Sequence, residues 1–400
     1  MRISRVQINN YRAIDKLDLS FIDSMGKTRP ITVIAGPNGS GKTSLLFAMT
    51  NALRGVMSYR AEDVPIPTTD DIRLSANSHG TWTAQRPEVR VRLDLQFDEN
   101  ERRAIPELIQ LVNMQPPPAL PDGKLALTWT YPPRLRPDGT KRGLSFEPAP
   151  PYVTSWLMAR GIAIKEWPKK TYGFRPDLLD SIGGIAFFPQ DRNLRERVTG
   201  TPQRGDSSVD AAQQDLELMV AADPIDAESA SASRAEDTRV GPRQKSVAEI
   251  LHYLSDYTRG QSEPLPDERN WEKRIQESFH HVCSPKKYLG YLYREDDPWG
   301  APVLEDDGRQ YTLAQAASGE QVILEYITRL TYPRPLQHSI ILIDEPEVHL
   351  HAAWVRQLYM ALKALPGSNQ FILTTHSAEL RQRAAADNSL IDLGLLDQQK

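Results

Sequence analysis

One short run constrains this chain more than any other. Gly36-Pro37-Asn38-Gly39-Ser40-Gly41-Lys42-Thr43 fits the pattern G-x-x-x-x-G-K-[ST], with an apolar stretch before it and an amphipathic one after it. Ile31-Thr32-Val33-Ile34-Ala35 reads as a buried strand of mostly β-branched residues, and Ser44 to Leu53 reads as a helix. A strand, a glycine turn and a helix in that order make an anion cradle. The glycines let backbone N–H groups turn inward, and the helix N-terminus adds partial positive charge. Such a cradle wraps the phosphates of a nucleoside triphosphate with Gly36, Pro37, Asn38, Gly39, Ser40 and Gly41. Lys42 neutralises the β- and γ-phosphates, Thr43 places its hydroxyl on Mg²⁺, and Ser44 completes the first helical turn. The alternative is a glycine turn ahead of a helix that binds nothing, and the motifs further along the chain weigh against it.

Length and composition set outer bounds. The 400 residues leave room for two or three structural units at roughly 150 residues per domain. A content of 40% apolar and 25% charged residues is ordinary for a globular protein. The net charge of −4 supplies no global basic field, so contact with nucleic acid would need a local patch or a partner. The single cysteine, Cys283, excludes an intramolecular disulfide and a four-cysteine zinc site. Met1-Arg2-Ile3-Ser4-Arg5-Val6 alternates as a strand does and lacks the apolar core of a signal peptide. No apolar stretch approaches the ~18 residues of a membrane span. The expectation is a cytoplasmic protein without a membrane partner.

Strands are expected ahead of the phosphate loop, with Ile3, Val6 and Ile8 in one and Leu17, Leu19 and Phe21 in another. From Glu88 to Phe97, Val89, Val91, Leu93, Leu95 and Phe97 share one face and Arg90, Arg92, Asp94 and Gln96 the other, as in a sheet with one solvated side. Leu125 to Tyr131 reads alike. Glu101 to Met114 has helical character that Pro106 is expected to bend or delay. Thr199 to Lys245 is nearly free of aromatics and too polar to offset its chain entropy, so it reads as a mobile segment. Ser246 and Glu249 form a capping-box pattern ahead of Val247, Ile250, Leu251, Leu254 and Tyr257 at helical spacing. Trp271 to Cys283 is a second amphipathic helix. Tyr288 to Tyr293 and Gln310 to Leu313, with a turn at Asp306-Asp307-Gly308, read as β structure. No sustained heptad stretch is present, so a long coiled-coil arm is absent.

Ile340-Ile341-Leu342-Ile343-Asp344-Glu345 is an apolar strand ending in two acids, the form expected where the carboxyl edge of a sheet meets a nucleotide. Asp344 suits Mg²⁺ coordination, and Glu345, pointing elsewhere, suits polarising an attacking water. Taken alone, a buried strand followed by an acidic turn is an equal reading; the phosphate loop upstream favours the functional one. Phe371-Ile372-Leu373-Thr374-Thr375-His376 is another buried strand, and it ends in a histidine able to contact a γ-phosphate.

Five ordered motifs carry a resemblance: Ile8-Asn9-Asn10-Tyr11-Arg12, the phosphate loop, Ala317-Ser318-Gly319-Glu320-Gln321 before an apolar helix, Asp344-Glu345-Pro346-Glu347 with His349-Leu350-His351, and the strand ending at His376. Together they resemble the ATP-binding-cassette ATPases. Within these they resemble the non-transporter AAA-type branch holding RecF, the structural-maintenance-of-chromosomes (Smc) proteins and the overcoming-lysogenisation-defect nucleases. The resemblance implies an α/β fold: a P-loop ABC-ATPase head with a mixed central sheet, an antiparallel β subdomain and a helical insertion carrying the signature motif. It implies lobes at 1–198 and 339–400, a signature region at 246–338, and the insertion at 199–245 between them. ATP and Mg²⁺ are the implied cofactors. Ser318, Gly319, Glu320 and Gln321 would form the signature that meets the γ-phosphate held by a second copy, giving an ATP-sandwiched head-to-head dimer or a larger homo-oligomer. Without the family, Ser318 is simply a helix N-cap. Gln190 would be the glutamine that contacts Mg²⁺ or the water, with Glu345 and His376 as the other catalytic groups. Arg12 would approach ribose or phosphate; a surface arginine is the alternative. Relatives work in DNA repair, chromosome handling or anti-phage systems beside a nuclease or toxin. The chain ends soon after His376, so the effector is expected to be a separate polypeptide. The competing readings are a nucleotide-stabilised scaffold with slow turnover and a transporter ATPase subunit, from which Ser318-Gly319-Glu320 and Glu345-Pro346-Glu347 depart.

Overall fold

The computed structural model describes residues 1–57, 88–111, 114–135, 141–148, 155–159, 178, 181–190, 246–260, 270–294, 297–331, 338–365 and 368–394. The polar segment 199–245 lies outside the described residues. Among those described, the strands sort into three sheets. The first is antiparallel and joins β1 (Arg2–Tyr11), β2 (Ile14–Ser20), β4 (Val89–Gln96), β5 (Lys124–Leu135) and β6 (Lys141–Glu147) in the order β2-β1-β4-β5-β6. Its period-two pattern decides which side is wet. Val6, Leu93 and Leu127 pair across one buried row, while the neighbouring row of Gln7, Arg92 and Thr128 faces the other way.

The second sheet is built from β3 (Ile31–Ala35), β7 (Ile185–Phe188), β11 (Ile340–Asp344), β12 (Gln370–Thr375) and β13 (Leu390–Asp392), in the order β13-β3-β12-β11-β7. Every residue of β3, β7, β11 and β12 is buried, which is why these segments read as unbroken apolar runs rather than alternating ones. The α/β head architecture is observed, with one correction: the central sheet pairs in parallel throughout the described residues, and the antiparallel strands form a sheet of their own. All its carboxyl ends therefore share one edge, with Ala35 beside Thr375, and Thr374 beside Asp344. The two sheets are stitched by a buried amide: Gln370 on β12 accepts from Ile3 N and donates to Ile3 O, both at 2.7 Å, as a peptide of a neighbouring strand would.

Helices α1 (Lys42–Met57) and α2 (Glu99–Leu111) pack into one apolar core with the antiparallel sheet. α2 starts at Glu99 and runs on through Pro106, so the proline does not delay it. A reciprocal cap secures its start, Asp98 N donating to Glu101 Oε2 at 3.1 Å and Glu101 N to Asp98 Oδ1 at 3.0 Å. Buried Ala104, Ile105, Leu108 and Ile109 outweigh the one hydrogen bond that proline removes. On the opposite face of the parallel sheet a second core gathers α3 (Val247–Arg259), α4 (Trp271–Cys283), α5 (Ser318–Thr331), α6 (Ala352–Ala364) and α7 (Ala378–Ala386). The capping box at Ser246 and Glu249 is present. The third sheet, β8 (Lys287–Arg294), β9 (Asp297–Asp306) and β10 (Arg309–Thr312), flanks these helices, and its tight turn places Asp307 and Gly308 at φ 50° and 73°. Among the described residues no helix is long and apolar enough to cross a membrane.

Candidate nucleotide site

Strand β3 delivers the chain to the shared edge, and the loop from Gly36 to Gly41 turns it back into α1. Gly39 and Gly41 take φ of 79° and 85°, the left-handed region that a side chain resists. A Cβ on Gly41 would also stand 2.8 Å from Ile14 Cγ1, so the loop lies tight against the start of β2. Leu45 N–H, bonded to Gly41 O at 2.8 Å, is the first with an intrahelical acceptor, which leaves the N–H groups of Lys42, Thr43 and Ser44 for a ligand. The Lys42 ammonium folds back onto the loop, donating to Gly36 O at 3.0 Å and Pro37 O at 3.1 Å. Its burial depresses the lysine pKa, against which Glu345, Asp344 and Glu347 favour the charge. Ser40 Oγ is buried with no partner. A turn that only glycine can make, unclaimed helix N–H groups, an orphaned hydroxyl and a caged ammonium together fit a polyphosphate. Pro37, Asn38 and Gly39 form the exposed rim of this loop. Arg12 lies with its guanidinium carbon 4.2 Å from the ring centroid of Phe47 on α1.

Beside the loop, Thr43 Oγ1 donates to Asp344 Oδ1 at 3.2 Å, and Thr374 Oγ1 donates to the same oxygen at 2.5 Å. Burial raises the Asp344 pKa, offset by these two hydroxyls and by Lys42. A hydroxyl beside a desolvated carboxylate is a hard oxygen pair, the donor chemistry that suits Mg²⁺. Glu345 follows at φ 49°, with its N–H anchored on Thr374 Oγ1 at 3.1 Å, so its carboxylate leaves the line of the strand. One of its oxygens lies 3.0 Å from His376 Nε2 and the other accepts from Gln190 Nε2 at 2.5 Å. Burial raises the Glu345 pKa; His376 pulls it back, and Asp344 and Glu347 push it up again. Residues 190, 345 and 376 thus meet at the ends of β7, β11 and β12.

The candidate signature behaves differently. Ser318 is exposed and stands in the first turn of α5 rather than capping it; the cap position is Ala317, whose O accepts from Gln321 N at 3.1 Å. Gly319, Glu320 and Gln321 are buried, with Gln321 Nε2 donating to Leu313 O at 2.9 Å. Of the four, Ser318 alone faces outward. A Cβ on Gly319 would stand 2.6 Å from His349 O, so the turn carrying His349, itself at φ 70°, is pressed against the signature from below.

Two family patterns match this chain, both described as AAA domains: one over residues 5–142 and one, "AAA domain, putative AbiEii toxin, Type IV TA system", over residues 301–381. A solved Smc head bound to the C-winged helix domain of ScpA superposes with a TM-score of 0.51 at 14% identity, covering 95% of this chain and 91% of that one. The fold is that of an Smc-type P-loop ATPase head. A second Smc head, with an extended coiled coil and the C-terminal domain of ScpA derived from Pyrococcus furiosus, is similar at a TM-score of 0.46 and 13% identity, over 98% and 92% of the two chains. The Septu protein PtuA of Bacillus thuringiensis is 45% identical over 57 residues, and this match spans 14% of either chain.

The head also contains a residue whose place the sequence pattern did not assign. Glu347 Oε1 accepts from Thr375 Oγ1 at 2.7 Å, His376 N at 2.6 Å and Ser377 N at 2.9 Å, while its Oε2 is buried without a partner. It therefore holds the backbone of the histidine turn in place. The signal was its spacing two residues beyond Glu345 and its position past a proline, but nothing local says which distant N–H groups it meets. Glu347→Ala is expected to slow phosphate release by about tenfold or more while leaving ATP affinity near that of the parent, since three bonds to a carboxylate are lost from the turn and none from the phosphate loop. Steady-state hydrolysis beside equilibrium nucleotide titration checks this.

Proposed function

We propose that this head binds Mg²⁺-ATP in the cradle formed by residues 36–44 and hydrolyses it. Glu345 positions the water, Gln190 and His376 orient Glu345, and Thr43 and Asp344 hold the metal. Mg²⁺ held by Thr43 and Asp344 would supply neutralisation of the phosphate charge. The observation that carries this reading is the convergence of Gln190, Glu345 and His376 at one sheet edge, beside Thr43 and Asp344. Lys42 exchanges its two loop carbonyls for phosphate oxygens, and the N–H groups at the start of α1 complete the cradle.

The head further acts as an ATP-dependent switch: Ser318 of one copy meets the γ-phosphate held by another, and engagement controls a separate effector protein in the cytoplasm, in anti-phage defence or DNA repair. Support for the pairing is that Ser318 is presented outward while Gly319, Glu320 and Gln321 after it are packed in. Support for a separate partner protein is an Smc head crystallised with a domain of ScpA, and the family description names a toxin. Ser318→Arg is expected to bind ATP as the parent does yet remain a monomer with Mg²⁺-ATP, because a long cation at that surface blocks close approach. Light scattering checks it, and ATP-driven dimers of the variant overturn the sandwich. One observation favours a slow-turnover scaffold as a second reading: each Glu345 oxygen already holds a partner, His376 or Gln190, so an attacking water must share an oxygen with one of them.

A further inference from the structure

Glu320 belongs to the stretch that the dimer reading turns toward a second copy, yet it is 2% exposed. Its carboxylate is fully engaged. One oxygen takes Lys286 Nζ at 2.7 Å and Tyr311 Oη at 2.8 Å, and the other accepts from Ala317 N at 2.8 Å. The same ammonium reaches Asp306 Oδ2 at 2.6 Å. Lys286 lies in the turn between α4 and β8, Asp306 at the end of β9, and Tyr311 on β10. A single charge thus ties the three-stranded sheet to the first turn of α5. On the other side Gly319 has no slack, because His349 O and the Trp354 ring stand 2.6 Å and 3.1 Å from where its Cβ would be. Ser318 sits between a salt-bridge clamp and a steric stop, and is itself exposed.

We propose that Lys286 and Tyr311 are positioning residues that fix the pose in which Ser318 is offered to the nucleotide of a second copy. This rests on the dimer reading above. Removing Lys286 strands a buried carboxylate, and a buried charge without its partner is costly enough to move the segment that carries it. What such a change can move is the exposed Ser318 turn at the start of α5, since Val322 to Thr328 are buried in the core. Burial and Glu320 push the Tyr311 hydroxyl up to about 12, so Tyr311 keeps its proton and donates it to Glu320 throughout the physiological range.

The test uses the full chain in a Glu345→Gln background, reading a fluorescent ATP analogue for affinity and light scattering for Mg²⁺-ATP-dependent mass. Lys286→Met is expected to bind the analogue within about twofold of the parent but to weaken dimerisation by about tenfold or more, with Lys286→Arg restoring it, as for loss of a buried hydrogen bond to a charged group. Tyr311→Phe removes one hydroxyl and is expected to weaken dimerisation about threefold with affinity unchanged. Adding Glu320→Gln to Lys286→Met should recover part of the loss, because the stranded charge is gone. Parent-like dimers from Lys286→Met overturn the inference. If Lys286→Met fails to fold, Tyr311→Phe decides: equal losses of affinity and dimerisation make the network a fold support and overturn the positioning role. Ser318→Arg run alongside separates the two ideas, since dimers from that variant sink the sandwich itself, whereas its monomer beside parent-like Lys286→Met dimers sinks only the clamp.

Discussion

Lys42→Ala is expected to abolish ATP binding in the working range. The ammonium is caged by the loop, held by two carbonyls at 3.0 and 3.1 Å that phosphate oxygens can replace without moving the lysine. Loss of a charge-assisted clamp of this kind weakens binding of a polyphosphate by about 10²-fold or more. Ligand stabilisation gives an independent reading. A ligand at 100 times its Kd adds about 2.7 kcal/mol to folding stability, so parent protein should melt higher with Mg²⁺-ATP while the alanine variant shows no shift. The nucleotide-free melting temperature serves as the control for folding, and unchanged ATP affinity in a folded Lys42→Ala would remove the phosphate-loop assignment.

Glu345→Gln is expected to keep ATP binding, lower hydrolysis by about 10²- to 10³-fold and accumulate dimers in Mg²⁺-ATP, because the change removes the acceptor for a water proton and leaves the cradle untouched. A variant that turns over at the parental rate would strip Glu345 of this role. The carboxylate also leaves a trace without nucleotide. Its pKa in the folded chain is raised by burial, so the stability tied to its protonated form is present at low pH and lost as pH rises through that raised value. Metal-free parent protein should therefore lose melting temperature over this interval more steeply than the glutamine variant, which carries no titrating group there.

How much of this was legible in the sequence depended on range. Segments that declare themselves by neighbours a few residues away were readable. The glycine turn after Ile31–Ala35, the alternation from Val89 to Leu95, the capping box at Ser246 and Glu249, and the Asp306-Asp307-Gly308 turn all follow from local backbone preference and side-chain period. The two acids at the end of β11 were readable as a site because a parallel strand can place them only at its carboxyl edge. The delay expected from Pro106 is absent because propensity is a local cost that the buried apolar face of α2 outweighs. The inward packing of Glu320 was not legible because its partner, the ammonium of Lys286, is contributed by a distant segment. Glu347 and Gln370 stayed silent because their partners, Ser377 and Ile3, are fixed by how strands are ordered across the sheets, and single-chain periodicity carries no strand order.

That strand order has a consequence for the birth of the molecule. β3, which launches the phosphate loop, pairs with β12 on one side and β13 on the other, and those strands begin at Gln370 and Leu390. A ribosome adding about 5–20 residues per second needs roughly 20–70 s to go from the first of these strands to the last. Throughout that interval the strand bearing the loop waits with both edges bare. The phosphate loop therefore has no finished seat on a half-made chain, and until β12 and β13 emerge the bare edges of β3 are open to pairing elsewhere.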